Sequence, residues 1–305
     1  MPAPGTSRWG PVLVGAALPW TWFLLRDLGG PVEGVAVVLP VLVLAVLVVI
    51  LGVAVGRRRA TLLPVAASLL AFGLVGVVGP LLPHRGPAPE TPLTLVSANL
   101  FWDNPTAGAG VSALLAVGAD VEVAVETTTQ DRAAMERLDT AHPYTATDDQ
   151  LVVRSRYPVT AMLDPKRVPA RRILRVTIEA PQGPFVLYAV HALNPLSEST
   201  FASQLSWVER LLAGASAESL PVVMAGDFNM SDRQLGYRML AGALRDAITA
   251  GGWGHPTYAD GIWAPLVLRI DHVFVSRDWC GQGGRTVDIS GSDHDGVTVA
   301  IGPCP

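Results

Sequence analysis

Five short polar segments in the last two-thirds of the chain each end an apolar run. They are Ser97-Ala98-Asn99-Leu100, Val125-Glu126-Thr127, Val190-His191-Ala192, Gly226-Asp227-Phe228-Asn229 and Ser292-Asp293-His294. A sixth, Arg269-Ile270-Asp271-His272-Val273, stands just before the last. Together they supply what metal-assisted phosphoryl hydrolysis requires: oxygen ligands for a hard cation, a base for water and a donor to the phosphate. No one segment is decisive, and the argument rests on their combination and order.

Glu126 closes a run of apolar residues, where a carboxylate is costly unless it is paired or holds a cation. It is the expected metal ligand. Asn99 has the same placement, and its amide suits metal-linked water or phosphate. Asp227 and Asn229 follow the apolar run Pro221 to Ala225 on a turn opened by Gly226, where a small residue lets the backbone approach a phosphate. A lone Asp-x-Asn turn is common, so this segment counts through its company. His191 and His294 supply imidazoles at the ends of two further runs.

These segments resemble the endonuclease/exonuclease/phosphatase superfamily, which includes deoxyribonuclease I, abasic-site endonucleases, inositol-polyphosphate phosphatases and neutral sphingomyelinases. The resemblance covers roughly residues 93 to 302, with Gly-Asp-Phe-Asn and Ser-Asp-His as its most specific pieces. Arg154-Ser155-Arg156-Tyr157-Pro158 and Pro256-Thr257-Tyr258 also look like family segments. The resemblance implies that Asp227 orients or deprotonates the attacking water and that Asn229 donates to the scissile phosphate. It also implies that His294, held by Asp271, sits beside that phosphate, and that Asp293 is a second acid near the metal. His191 matches the second histidine of the deoxyribonuclease and sphingomyelinase branch. Mg²⁺ or Mn²⁺ is the implied ion, held by Glu126, Asn99 and Asp293. Two departures bear on substrate. Val125 stands where the family usually has Gln, and the loops are compact where abasic-site enzymes carry long DNA-gripping insertions. Both leave the chemistry intact and weigh against DNA.

The elements that must position these residues alternate in type. Leu93–Ala98, Val121–Glu126, Leu151–Val153, Ile173–Ile178, Phe185–Val190, Pro221–Ala225, Ile270–Val275 and Val297–Ile301 read as strands. Between them, Ala107–Val117, Arg132–Leu138 and Ser197–Ala213 read as helices, the last amphipathic through Phe201, Leu205, Val208, Leu211 and Leu212. About 210 residues of this pattern suffice for one α/β domain with a full core. The resemblance makes it a sandwich of two packed sheets with helices outside.

The first third is of another kind. Between its few charges lie three apolar stretches, Pro11–Leu25, Gly34–Val55 and Leu62–Leu82, and the last two have the length that crosses a bilayer core of about 30 Å. The expected organisation is a membrane anchor of three transmembrane helices over residues 1–82, a Pro-rich linker over 83–92 and a catalytic domain over 93–305. A cleaved signal peptide is the alternative for the first stretch. Arg57, Arg58 and Arg59 lie between the second and third stretches, and short basic loops stay in the cytoplasm. The amino terminus is therefore expected inside the cell and the catalytic domain outside. There the only two cysteines, Cys280 and Cys304, suit a disulfide. Four prolines in the ten linker residues predict a stiff, extended spacer.

From His84 onward the chain carries 17 basic and 24 acidic residues, a net of −7. DNA-backbone binding relies on positive surfaces. A cluster at Lys166, Arg167, Arg171, Arg172 and Arg175 is either a solvated strand face or a landing strip for anionic headgroups. The layout of three spans before an exported domain, in an Arg-rich and Lys-poor chain, is similar to the actinobacterial teicoplanin-resistance proteins of the superfamily. That similarity implies a cell-envelope phospholipid or lipid-linked cell-wall intermediate as substrate. A membrane-tethered nuclease is the first alternative, and a non-catalytic binding module the second.

Overall fold

The computed structural model describes residues 10–29, 31–56, 62–84, 86–161, 172–196, 200–250, 252–262 and 268–305. Two compact units are formed, one by the apolar helices up to Pro80 and one by the chain from Leu81 onward, with residues 233–235 grouped in the first.

In the first unit, α1 (Gly10–Leu25), α2 (Pro31–Gly56) and α3 (Leu63–Phe72) pack around Phe72, with Trp20, Trp22 and Phe23 against it. Trp20 Nε1 donates to Ser68 Oγ at 3.1 Å, and that hydroxyl donates to Ala16 O at 2.8 Å, so the few polar groups here satisfy one another. Among the described residues, two helices are long and apolar enough to cross a membrane: Val32–Gly56, and Leu63–Leu81, which continues α3 through a π-helical turn at Gly73–Val78. The first apolar stretch forms a 16-residue helix containing Pro19. The residues on which orientation was argued, Arg57 to Arg59, lie outside the described residues.

The second unit is a two-sheet α/β sandwich. One sheet has the order β11-β12-β1-β2-β4-β3 and the other β5-β6-β7-β8-β10-β9. Its strands are β1 (Leu93–Asn99), β2 (Val121–Val125), β3 (Tyr144–Asp148), β4 (Leu151–Ser155), β5 (Val159–Ala161), β6 (Ile173–Ala180), β7 (Gly183–His191), β8 (Val222–Asp227), β9 (Arg245–Asp246), β10 (Asp271–Val275), β11 (Trp279–Val287) and β12 (Gly296–Pro303). The helices are α4 (Ala107–Ala116), α5 (Thr129–Leu138), α6 (Phe201–Ser216) and α7 (Leu235–Ala243). Period-two alternation divides each strand between two cores. Leu93 and Leu95 of β1 enter the core between the sheets, whereas Val96 and Ala98 pack against Val111, Leu114 and Met135 of α4 and α5. Trp207, Val208 and Leu211 of α6 and Leu240 of α7 cover the second sheet. Strands buried on both faces explain the near-continuous apolar runs.

The expected strands are present. Helix α6 starts at Phe201, because Thr200 caps it by accepting from Ser203 N; residues 197–199 are not described. Strands β3, β5, β9 and β11 escaped the sequence reading. β3 is polar and partly exposed, β9 has two residues, and β11 carries Gly281, Gly283 and Gly284 with a register shift between Gln282 and Arg285. Cys280 and Cys304 are joined by a disulfide. The linker differs from a free spacer. His84 N donates to Thr249 O at 2.6 Å, Glu90 N donates to Pro303 O at 2.9 Å, and Leu81 O accepts from Gly254 N at 2.9 Å, so this segment is fastened to the domain.

Buried ionic clusters occur among the described residues of this unit. Arg269, fully buried, donates to Asp232, to Asp246 Oδ2 at 2.6 Å and to the Tyr237 hydroxyl at 3.0 Å. Arg154 lies 2.9 Å from Asp139 and 3.5 Å from buried Glu122, beside His142. Removing a single partner strands charge in the interior. Arg269→Met is therefore expected to cost about 3–5 kcal/mol, read as a lower midpoint in denaturant unfolding. An unchanged midpoint would show that the cluster is energetically neutral.

Candidate active site

Register brings the polar strand ends together. Asn99 ends β1 beside Val125 of the parallel strand β2, and Glu126 follows with φ 55°. In the other sheet His191 of β7 pairs with Asp227 of parallel β8, and Asp227 pairs with Asp271 of antiparallel β10. Gly226 makes this alignment possible. Its φ is 143°, and a Cβ there would lie 1.9 Å from Val190 O, so no side chain fits between β7 and β8. Asn229 adopts φ 49°, the left-handed conformation that Asn tolerates better than most residues.

Side chains from both sheets then meet. Asn99 Nδ2 donates to Glu126 Oε1 at 3.0 Å and to Asp227 Oδ2 at 3.3 Å. His191 Nε2 lies 3.2 Å from Glu126 Oε1 and 3.9 Å from Asp227 Oδ2. His294 Nδ1 lies 2.8 Å from Asp271 Oδ2, and its Nε2 is 4.0 Å from Asp227 Oδ2. Asn229 Nδ2 donates to Ala192 O at 3.0 Å and to Asp227 Oδ2 at 3.1 Å. Seven of the eight residues singled out in the sequence are thus linked directly, around Asp227. Asp293, next to His294, feels the charge of Glu126.

Three supporting residues gave no individual sequence signal. Ser292 Oγ donates to Asn99 O at 2.8 Å and accepts from His294 N at 3.0 Å, tying the last segment to the first. Thr257 Oγ1 accepts from the amides of Ile270 and Asp271 at 3.0 and 3.1 Å. Tyr258 sets its ring edge-on to the His294 imidazole, 5.0 Å between centroids. The Pro256-Thr257-Tyr258 segment was noticed in the sequence without a role; its hydroxyl and ring brace the Asp271–His294 pair. Of the basic cluster, Lys166, Arg167 and Arg171 lie outside the described residues. Arg175 does not belong to a surface strip. It is buried and holds Glu218 by two hydrogen bonds of 2.7 and 2.6 Å, shared with the Tyr188 hydroxyl. Arg172 is close enough for its charge to oppose protonation of His191.

The electrostatics separate the groups by role. Burial alone would raise the Glu126 carboxyl, but hydrogen bonds from His191 and Asn99, with the imidazole's charge, hold it down at about 2. Burial opposes a charge on His191; the bond to Glu126 and the charge of Asp227 prevail and raise its pKa. Asp227 is pushed up to about 6 by burial, with Asp271 adding and His294 opposing. Burial likewise opposes a charge on His294, yet the carboxylates of Asp271 and Asp227 and the Asp271 hydrogen bond carry it up to about 10. At neutral pH the site therefore pairs a carboxylate with a protonated imidazole, one to accept a proton and one to stabilise developing negative charge.

The residues fit a hard divalent cation. Asp293 Oδ1 is buried and, among the described residues, has no hydrogen-bond partner. Burial and the charge of Glu126 push the Asp293 carboxyl up, the condition an added cation would relieve. Ligand atoms of Glu126, His191 and Asp227 lie within 4.8 Å of one another, as do those of Asp227, Asp271 and His294. Glu126 and Asp293 offer the oxygen ligands such an ion prefers. Asn99 Oδ1 already accepts from Phe101 N at 2.9 Å.

In metal-free protein the His294 ring is expected to keep its second proton through neutral pH and release it near pH 10. Asp271→Asn removes the largest raising cause and should move that midpoint down. Titration of the ring proton resonances by NMR checks both; a wild-type midpoint near 6.5 would show that the pair does not form.

Similar architecture occurs in solved structures. An endonuclease/exonuclease/phosphatase from Beutenbergia cavernae is 21% identical with a TM-score of 0.52, over 70% of this chain and 72% of its own. Sphingomyelinase C from Streptomyces griseocarneus is 18% identical with a TM-score of 0.52, over 69% of this chain and 99% of its own. A humanized D. rerio TDP2 is 16% identical with a TM-score of 0.51, over 69% of this chain and 98% of its own. These likenesses establish the fold. No curated protein matches the chain in sequence. Residues 96–294, from β1 to the histidine of the last site segment, match the model of the endonuclease/exonuclease/phosphatase family, whose members hydrolyse phosphoester bonds and typically depend on a divalent metal. The chain belongs to that family.

Proposed function

We propose that this protein is a membrane-anchored, metal-dependent phosphoesterase, with its catalytic domain outside the cell and a membrane-borne phosphoester of the cell envelope as substrate. The observation that carries the chemistry is Asp227, flanked on one side by His294 with its Asp271 and on the other by His191 and Glu126. Asp227 accepts the proton of the attacking water. His294 donates from Nε2 to a phosphate oxygen as charge develops, and Asp271 fixes its tautomer. Asn229 orients Asp227 and stands beside the phosphate, and His191 offers a second donor. Mg²⁺ or Mn²⁺, held by Glu126 with Asn99 and Asp293, supplies charge stabilisation at the phosphoryl oxygens when bound.

Three further features support a membrane-borne substrate. The loops after β1 and β7 carry large apolar side chains in solvent, Trp102 at 60% exposed and Leu196 at 73%, and the loop before β10 carries Ile262 at 95%. Trp102 N donates to Glu126 Oε2 at 3.3 Å, so one of these exposed side chains stands at the site itself, where it suits contact with an acyl or prenyl group. The domain's net charge of −7 disfavours a polyanion, and the layout resembles the teicoplanin-resistance proteins, in which a lipid-linked wall intermediate is the implied target. The anchor is read as three spans, with α1 the first; the alternative is a tethered nuclease.

The decisive comparison is kcat/KM of the full-length enzyme on vesicle-borne lipid phosphate against plasmid DNA at physiological salt. Lipid turnover is expected, and efficient plasmid nicking without it hands the case to the nuclease. Excess EDTA should abolish activity, and Glu126→Gln should weaken ion binding and slow turnover; full activity in EDTA would sink the metal assignment. His294→Ala and Asp271→Asn should each cost on the order of 10² to 10⁴ in rate and combine with less than additive effect, because they serve one proton. Protease added to intact protoplasts should remove the carboxyl-terminal domain, and protection until lysis would reverse the orientation.

A further inference from the structure

A cavity of about 290 Å³ opens among His84, Tyr237, Leu244, Arg245, Asp246 and Arg277. It is not the active site. Arg245 pairs with Val275, four residues along β10 from Asp271, which sets the two sites about 13 Å apart along the strand. Tyr237 and Leu244 give it an aromatic and an apolar wall, and Arg245 and Arg277 give it two cations. Arg245 uses only its Nε, donating to Arg277 O at 2.9 Å; among the described residues its two terminal nitrogens have no partner. Arg277 caps the end of α7 through the carbonyls of Ala241, Gly242 and Ala243, using Nε and one terminal nitrogen, which leaves the other as a donor. The single carboxylate of the lining, Asp246, is already consumed. Its Oδ1 accepts from the amides of Ile248 and Thr249, and its Oδ2 accepts from Tyr237 and Arg269. Arg269 holds its pKa down despite burial.

We infer that this cavity is a second, non-catalytic site for a phosphate group, with Arg245 and Arg277 as its cationic clamp and His84 as a third donor. Guanidinium forks match tetrahedral oxyanions, and two of them converge on a space large enough for a phosphate with a small alcohol attached. His84 stands three residues beyond Leu81, the end of an apolar helix read above as a span, and its amide is fastened to Thr249 O. Three residues of chain reach at most about 11 Å, which carries His84 through or just past a headgroup layer about 5–8 Å deep. An anionic lipid headgroup is thus in reach, and a free phosphate shares its chemistry. The membrane source rests on the span reading, whereas the phosphate site does not.

The test uses full-length protein in neutral detergent and follows the thermal unfolding midpoint. The titrants are sodium phosphate, a short-chain phosphatidylglycerol and a short-chain diacylglycerol lacking phosphate. Saturable stabilisation is expected from the first two and none from the third. His294→Ala and Glu126→Gln, which disable the catalytic centre, should keep it. Arg245→Gln should raise the half-saturating concentration tenfold or more, and Arg245→Lys should recover part of the loss. Arg245→Gln is the primary variant because Arg277 also caps a helix and its loss threatens folding. Phosphatidylglycerol binding tenfold or more tighter than phosphate assigns the headgroup as source; equal affinities assign the free anion. Unchanged stabilisation in Arg245→Gln, or its disappearance in His294→Ala, overturns the proposal, as does no saturable stabilisation at all.

Discussion

Everything at this site depends on how closely β7 and β8 approach at Gly226. A Cβ there would collide with Val190 O, so only glycine permits the register that sets His191, Asp227 and Asp271 abreast on three adjacent strands. Asp227 is then forced into a buried position between two imidazoles, with Asn99 reaching it from the other sheet. Burial raises its pKa toward neutrality, the range that a proton acceptor near physiological pH requires. Backbone geometry, strand register and acid–base behaviour are links of one chain that starts from a missing methyl group.

The second requirement is that the two sheets close on each other at the ends carrying these residues. Asn99 and Glu126 come from one sheet, and His191, Asp227 and Asp271 from the other. The inter-sheet core of Leu95, Val123, Val125, Leu187, Ala189 and Ala225 fixes their separation. Ser292 and Thr257 then lock the loops, one hydroxyl bridging Asn99 and His294 and the other holding the amide of Asp271. Loops carry chemistry well only when a rigid scaffold positions them.

The sequence made this cluster legible because several of its residues interrupt an apolar run. A polar group at the end of a buried strand has few structural reasons to be there, and Glu126, His191 and Asp227 all announce themselves in that way. Asp271 and Asp293 were legible only through the resemblance. The strands that failed to show are those whose burial does not impose a pattern: polar β3, two-residue β9 and glycine-rich β11. Arg175 misled because a strand-borne arginine among other arginines looks like surface; its partner Glu218 lies at the far end of α6, and no local spacing shows a bond over 43 residues. The fastening of the linker was not legible for a similar reason. Its prolines do favour extension, but hydrogen bonds from His84 and Glu90 to distant carbonyls fasten it to the domain.

The charge balance of the finished site follows from these placements. Glu126, Asp227, Asp271 and Asp293 bring four carboxyl groups into one region, faced by the imidazoles of His191 and His294. The strain of that surplus is visible in the groups themselves. Asp227 and Asp293 are pushed up, both histidines are pulled up, and Asp293 Oδ1 and Asp271 Oδ1 stay buried without a partner among the described residues. Natural proteins keep few such groups unless function uses them. A divalent cation near Glu126 and Asp293 and a phosphate near His294 and His191 would each meet the charge it lacks, so cation and anion are complementary needs of one acidic, imidazole-bearing cleft. On the proposed reading, that complementarity would let a domain of net charge −7 take an anionic ester: attraction would be supplied locally, by an ion and the protonated rings, and would fall off beyond the mouth. A long polyanion would meet the repulsive remainder of the surface, whereas a single phosphate presented at the cleft would not.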